Sequence, residues 1–173
     1  MKSKAEKLLA VMHILAWIVF IGLTVIAGAI IISWFVSIGN AQASKDLYKG
    51  LDLSDYRQHS FLQYTFVAGY KVIWYITQAY IAFLMVSLLS KLNIARPFSA
   101  DVAFLMQKIS YAILCLWMIA MAYDIHVGIL EKIYGIAATY ISGDAIFLAG
   151  IVYILAQMFK RGAEIQSENE LTV

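Results

Sequence analysis

Charge is what this sequence has least of. Of 173 residues only 14% are charged, against 62% hydrophobic, where soluble domains carry roughly 25% charged and about 45–50% apolar residues. The few charges are clustered, and the long uncharged stretches between them exclude an ordinary water-soluble core and point to a bilayer. Cysteine is nearly absent too. The one residue, Cys115, lies within an apolar run, so it can form no intrachain disulfide and reads as a small apolar side chain poorly placed to act as a nucleophile. The sequence has no Gly-x-Ser-x-Gly, no His-Glu-x-x-His, no glycine-rich phosphate loop and no deep pair of aspartates, which argues against a catalytic residue set and against an enzyme. The net charge of +2 is too small to argue for direct nucleic-acid binding.

What is present is four apolar runs. The first begins after Lys7 and meets no charge until Lys45, far longer than the roughly 7–15 apolar residues of a signal peptide. Trp17 and Trp34 bracket its centre, about 25 Å apart on a helix, near the thickness of a hydrocarbon core, and tryptophan favours the two interfaces. The second lies between Lys71 and Lys91, and Tyr64, Tyr70, Trp74, Tyr75 and Tyr80 crowd its first half and the segment before it. The third opens at "ARPFSADVAFLMQK". Pro97 disfavours helix at Arg96, Ser99 is a good N-cap, and Asp101 sits where the helix dipole favours an anion. The fourth has only 15 uncharged residues, from Ala145 to Phe159. It must borrow from about Tyr140, taking Asp144 near its end, or else 133–143 forms a re-entrant segment too short to cross.

The expectation is one all-α integral membrane domain over residues 1–173, a four-transmembrane-helix bundle with helices at about 8–38, 64–90, 100–123 and 140–161. Outer loops then fall at about 39–63 and 124–139, an inner loop at 91–99 and a tail at 162–173. Eight bases (Lys2, Lys4, Lys7, Lys91, Arg96, Lys108, Lys160, Arg161) lie on the side of the termini and five (Lys45, Lys49, Arg57, Lys71, Lys132) on the other. The positive-inside rule makes both termini cytoplasmic, hence a multi-pass membrane protein with the lipid bilayer as its first partner. Small residues four apart, Thr24 with Gly28, Ala29 with Ser33 and Ala145 with Ala149, suggest closely packed faces on the first and fourth helices.

Two groups of residues are candidates for function. The first is an outer polar cluster: Lys71, Gln78, Asp124, His126 and Asp144. Lys71, Tyr75 and Gln78 share one helical face, a stripe that could line a cavity or bind a headgroup. The plainer reading is that Lys71 pairs with Asp124 or Asp144 and staples helix ends. The three histidines, His13, His59 and His126, fall on different sides by this topology and lack ligand spacing, so neither a metal nor another cofactor is implied. The second group is cytoplasmic. Lys160 and Arg161 end the apolar run, Gly162 allows a break or a close approach, and Glu164, Glu168 and Glu170 follow. An anionic inner leaflet repels such a tail. Ile165, Leu171 and Val173 fit a contact element better than a purely solubilising end.

Two stretches carry a resemblance. "ARPFSADVAFLMQKIS" and "FKRGAEIQSENELTV" resemble the inner-loop and C-terminal signatures of a bacterial membrane family, domain-of-unknown-function family 2975, and the four-helix layout is similar over essentially the whole length. Gln157 stands where members often have an acid. The resemblance implies no activity. It implies a shared cytoplasmic surface made by Arg96, Pro97, Phe98, Ser99, Lys160, Arg161, Gly162, Glu168 and Leu171. It also implies a very small helix-turn-helix DNA-binding protein encoded nearby. The leading expectation is a non-enzymatic membrane regulator whose cytoplasmic face binds that regulator. Two alternatives stand beside it: a transport or permeation protein working as a homo-oligomer, with a path along Lys71 and Gln78, and an assembly or immunity subunit acting through its outer loops.

Overall fold

The computed structural model describes residues 4–93, 97–141 and 145–171, with only the backbone for 169–171. The fold is all-α. Helix α1 spans Lys4–Gly39, α2 Ser54–His59, α3 Phe61–Lys91, α4 Ala100–Tyr134 and α5 Ala145–Leu171, with a 3₁₀ turn at Ala41–Lys45. Helices α1, α3, α4 and α5 are long and apolar enough to cross a membrane. At 1.5 Å per residue α1 reaches about 54 Å, well beyond the roughly 30 Å of a hydrocarbon core. Few of its side chains are covered: Ala27, Ile30 and Ser37 are its buried positions. A helix without charge beyond Lys7 and with so little buried suits lipid, not water, and the same holds for Phe147 of α5, 80% exposed.

The chain divides into two compact units. The loop-bearing unit comprises Ile21–Ala79 and Leu116–Gly143. Its core gathers Ile30, Leu47, Leu53, Tyr56, Tyr64, Val67, Tyr123, Val127, Leu130 and Ile136. Aromatic hydroxyls at this depth need partners. Tyr64 donates to Ser37 Oγ at 2.7 Å, Ser37 donates to the Trp34 carbonyl at 2.6 Å, and Trp34 Nε1 donates to Thr65 Oγ1 at 3.3 Å. This chain ties α1 to α3. The connection from α1 to α2 is also ordered. Asn40 caps the 3₁₀ turn by accepting from the Gln42 N–H, Lys49 and Gly50 both take positive φ, and the Leu53 N–H donates to the Ser44 carbonyl. Asp52 accepts the Ser54 N–H at 2.8 Å, which holds its carboxyl below the usual range.

The termini-bearing unit comprises Met1–Phe20, Tyr80–Cys115 and Asp144–Val173. Its core is aliphatic and small: Leu84, Leu88, Val102, Leu105, Ile109, Ala112, Ile113 and Ala149. A buried hydrogen bond crosses it, from Ser110 Oγ on α4 to the Ala149 carbonyl on α5 at 2.8 Å.

Several boundaries differ from expectation. Helix α4 runs on past residue 123 to Tyr134, because nothing there stops it until Gly135 turns left-handed (φ 70°) and closes the end by donating to the Glu131 carbonyl at 2.8 Å. This is the usual glycine stop. Helix α5 starts at Ala145, not near 140, and Tyr140 and Ile141 lie in the irregular segment before it. The expected close approach at Thr24 and Gly28 is not found: Thr24 is exposed and a Cβ on Gly28 would meet nothing within 4 Å. Ala149 does pack closely, 5% exposed beside Ser110.

Candidate functional site

The start of α4 forms as its sequence dictates. The Ser99 hydroxyl accepts the Val102 N–H at 3.3 Å, and Asp101 in the first turn pairs with Lys91 Nζ at 2.8 Å. Both partners are exposed, so the pair stabilises little by itself, but it ties the end of α3 to the start of α4. Ahead of Ser99, Phe98 lies against α5. Its ring centroid is 5.2 Å from that of Phe159, tilted by 59°.

Gly162 is one turn further along. A Cβ there would lie 2.7 Å from Phe98 Cδ1 and 2.9 Å from Cγ, too near for any real side chain without moving the ring. Gly162 is therefore the close approach and not the break. A mid-helix glycine costs about 1 kcal/mol against alanine, and here its bare backbone seats the Phe98 ring. Helix α5 passes through it to Leu171, so the expected separate tail at 162–173 is helical over 162–171. Good helix formers follow the glycine, and Arg161 pairs with Glu164 at 3.0 Å, three residues on.

The result is an open groove of about 520 Å³ beside the Phe98–Ala100 turn, bounded on α5 by Lys160, Ala163, Glu164, Gln166 and Ser167. The structure thus brings Phe98, Ser99, Lys160, Gly162 and Glu164 together in the termini-bearing unit, with Pro97 at the head of the turn. Arg161 and Glu168 stand exposed on α5. Arg96 and Val173, with the side chains of Glu170 and Leu171, lie outside the described residues. Phe159 is the member that the sequence reading missed. The available signal was its place three residues before Gly162, on the same helical face.

In the polar cluster of the loop-bearing unit, Lys71 forms no ion pair with an aspartate among the described residues, and the other expected partner, Asp144, lies outside them. The Lys71 Nζ sits 4.3 Å from the centroid of the buried Tyr123 ring, a cation–π contact. Asp124 accepts the Ile141 N–H at 2.7 Å, tying α4 to the irregular segment. His126, in the tautomer with its proton on Nε2, donates to Gln63 Oε1 at 2.8 Å, and the Tyr70 and Phe66 rings stand edge-on to it. Gln78 is half-buried on α3, and Asp144 lies outside the described residues. Nearby, Tyr140 donates to Glu131 at 2.6 Å, and this bond raises its pKa. Among the described residues no three metal-ligating side chains converge.

These features define the class: an all-α membrane-type protein with four helices able to span a bilayer and a helical C-terminal extension. Residues 41–173 match the model of the family described as "Protein of unknown function (DUF2975)", and the chain belongs to that family. No curated protein and no solved structure matches it.

Proposed function

We propose that this protein is a non-enzymatic, membrane-bound regulator, held in a bacterial cytoplasmic membrane with both termini in the cytoplasm. Its 96–101 turn and the α5 extension bind a small, basic, helix-turn-helix DNA-binding protein. The observation that carries this reading is the Phe98–Gly162 seat. A merely solubilising tail needs no glycine with a phenylalanine against it. Here the seat holds a helix that continues past its apolar part with Glu164, Glu168 and Glu170 along it. The excess of bases on the side of the termini supports the orientation. Acids on a rigid helix can compete with DNA phosphates for a basic partner, and tethering raises the local concentration of that partner at the membrane.

The test is co-purification of the adjacently encoded regulator with the full chain, with a chain lacking 163–173, and with Gly162→Leu. Retention by the full chain and at least about tenfold loss in both variants, with membrane insertion unchanged, is the expected result. Undiminished retention by the truncated chain refutes the reading.

A further inference from the structure

A second cleft, of about 610 Å³, opens in the loop-bearing unit where α1 ends and α3 begins, walled by the 3₁₀ turn and α2. Two cations line it, Lys45 and Arg57, with Gln42 and Gln58 as further polar groups, and no carboxylate lies among its lining residues. Of the acids near it, Asp46 accepts the Gly50 N–H at 2.9 Å, Asp52, whose carboxylate feels the charge of Lys45, accepts the Ser54 N–H, and Asp55 is exposed on α2 outside the lining.

Arg57 is the informative residue. Its guanidinium lies over the Phe61 and Tyr64 rings, 5.1 and 5.6 Å from their centroids. Ring faces fix the position of a guanidinium but use up no N–H donors in hydrogen bonds. Arg57 Nη1 is buried and has no hydrogen-bond partner. A buried charged donor left in this state is costly, and among the described residues no protein group relieves it. Stacking on two aromatic faces also reduces the entropy that a long side chain loses on binding.

We infer that this cleft is a binding site for a phosphate-type oxyanion, held by Arg57 and Lys45. A planar guanidinium matches two oxygens of such a group, and an ammonium adds a point charge. Two sources share this chemistry: the headgroup of an anionic phospholipid and free phosphate. The apolar part of the wall, Ile38 and Phe61, 51% and 45% exposed, gives an acyl chain a surface beside the headgroup. The cleft also stands at the ends of two membrane-length helices, at the level of lipid headgroups.

The experiment uses the full chain in neutral detergent. Native mass spectrometry reads retention of phosphatidylglycerol against phosphatidylcholine, and thermal unfolding reads the response to millimolar inorganic phosphate. Wild type should retain the anionic lipid about tenfold better than the zwitterionic one, and Arg57→Gln should lose that preference. Lys45→Gln, on an exposed position, should weaken it severalfold, and this variant carries the test where Arg57→Gln fails to fold. Lipid retained in the presence of phosphate identifies the headgroup as the source. A raised melting temperature with phosphate, together with displaced lipid, identifies the free anion. No preference between the lipids combined with no response to phosphate overturns the site, as do wild-type values in both variants.

Discussion

The two units of this chain are built from different materials. The loop-bearing unit buries tyrosines and serines and joins them by hydrogen bonds, cation–π contacts and edge-on rings. The termini-bearing unit buries leucine, isoleucine, valine and alanine and has one buried side-chain hydrogen bond, Ser110 to Ala149, among the described residues. The difference follows from what each must organise. Lipid gives helices no hydrophobic reason to associate, so contact is gained by close packing or by polar groups that would otherwise lack partners. Small side chains let α5 pack closely on α4, with the Ser110 bond to the Ala149 carbonyl between them. A connection with a 3₁₀ turn, a left-handed pair of residues and a two-turn helix needs directional bonds to keep one geometry.

Truncation at the two cores should separate them most clearly. Tyr64, fully buried with its hydroxyl bonded, should lose about 3–5 kcal/mol on replacement by alanine, because a large cavity opens and Ser37 loses its partner. Ile113→Ala in the aliphatic core should cost nearer 2 kcal/mol, the low end of its range, since lipid removes much of the transfer term. Denaturation in mixed micelles, followed by circular dichroism, checks both. Equal costs would erase the distinction.

Removing one hydroxyl from each unit gives a smaller and sharper contrast. Tyr64→Phe should cost about 1 kcal/mol. Ser110→Ala should cost about 0.6 kcal/mol, because the carbonyl that it frees is already part of a helix. The same unfolding measurement resolves the order, and a reversed order would mean that Ser110, not packing, joins α4 to α5.

Acid should touch one unit first. The Asp52 carboxyl is held below its ordinary value of 3.8 by the Ser54 N–H. Its contribution is therefore complete above about pH 4 and is lost as pH falls through the depressed folded value. Amide protection at residues 44–54, corrected for the intrinsic pH dependence of exchange, should fall between pH 5 and pH 3 in wild type. In Asp52→Asn it should change less, while corrected protection in α5 stays constant. The effect is small, because the group is exposed.

Much of the fold was legible because bilayer physics writes itself into composition. Uncharged runs, the Ser99 cap and Asp101 in the first turn each depend on nearby residues only, and each is found. The boundary errors are local as well. Residues 124–134 contain a histidine and three charged residues, which resemble a loop when hydropathy alone is weighed, yet helix propensity carries α4 to its glycine stop. The reading of Gly162 held two options, break or close approach. A ring from a turn more than sixty positions away in sequence decided between them. Lys71 shows the same limit. Sequence marks it as a cation near two aspartates, but only packing presents the Tyr123 ring as its neighbour.

The sequence by itself determined that four long apolar helices form, where the third begins, and that acids follow the last pair of bases. Charge, hydropathy and capping act over a few residues, so a linear reading captures them. Only tertiary structure decided that Phe98 is seated on Gly162, that Tyr64 bonds to Ser37, and that Arg57 lines a cleft with an unpartnered nitrogen. Each of these depends on which surfaces meet across tens of residues, and that is settled by shape complementarity between packed faces, a property that no short window of sequence contains.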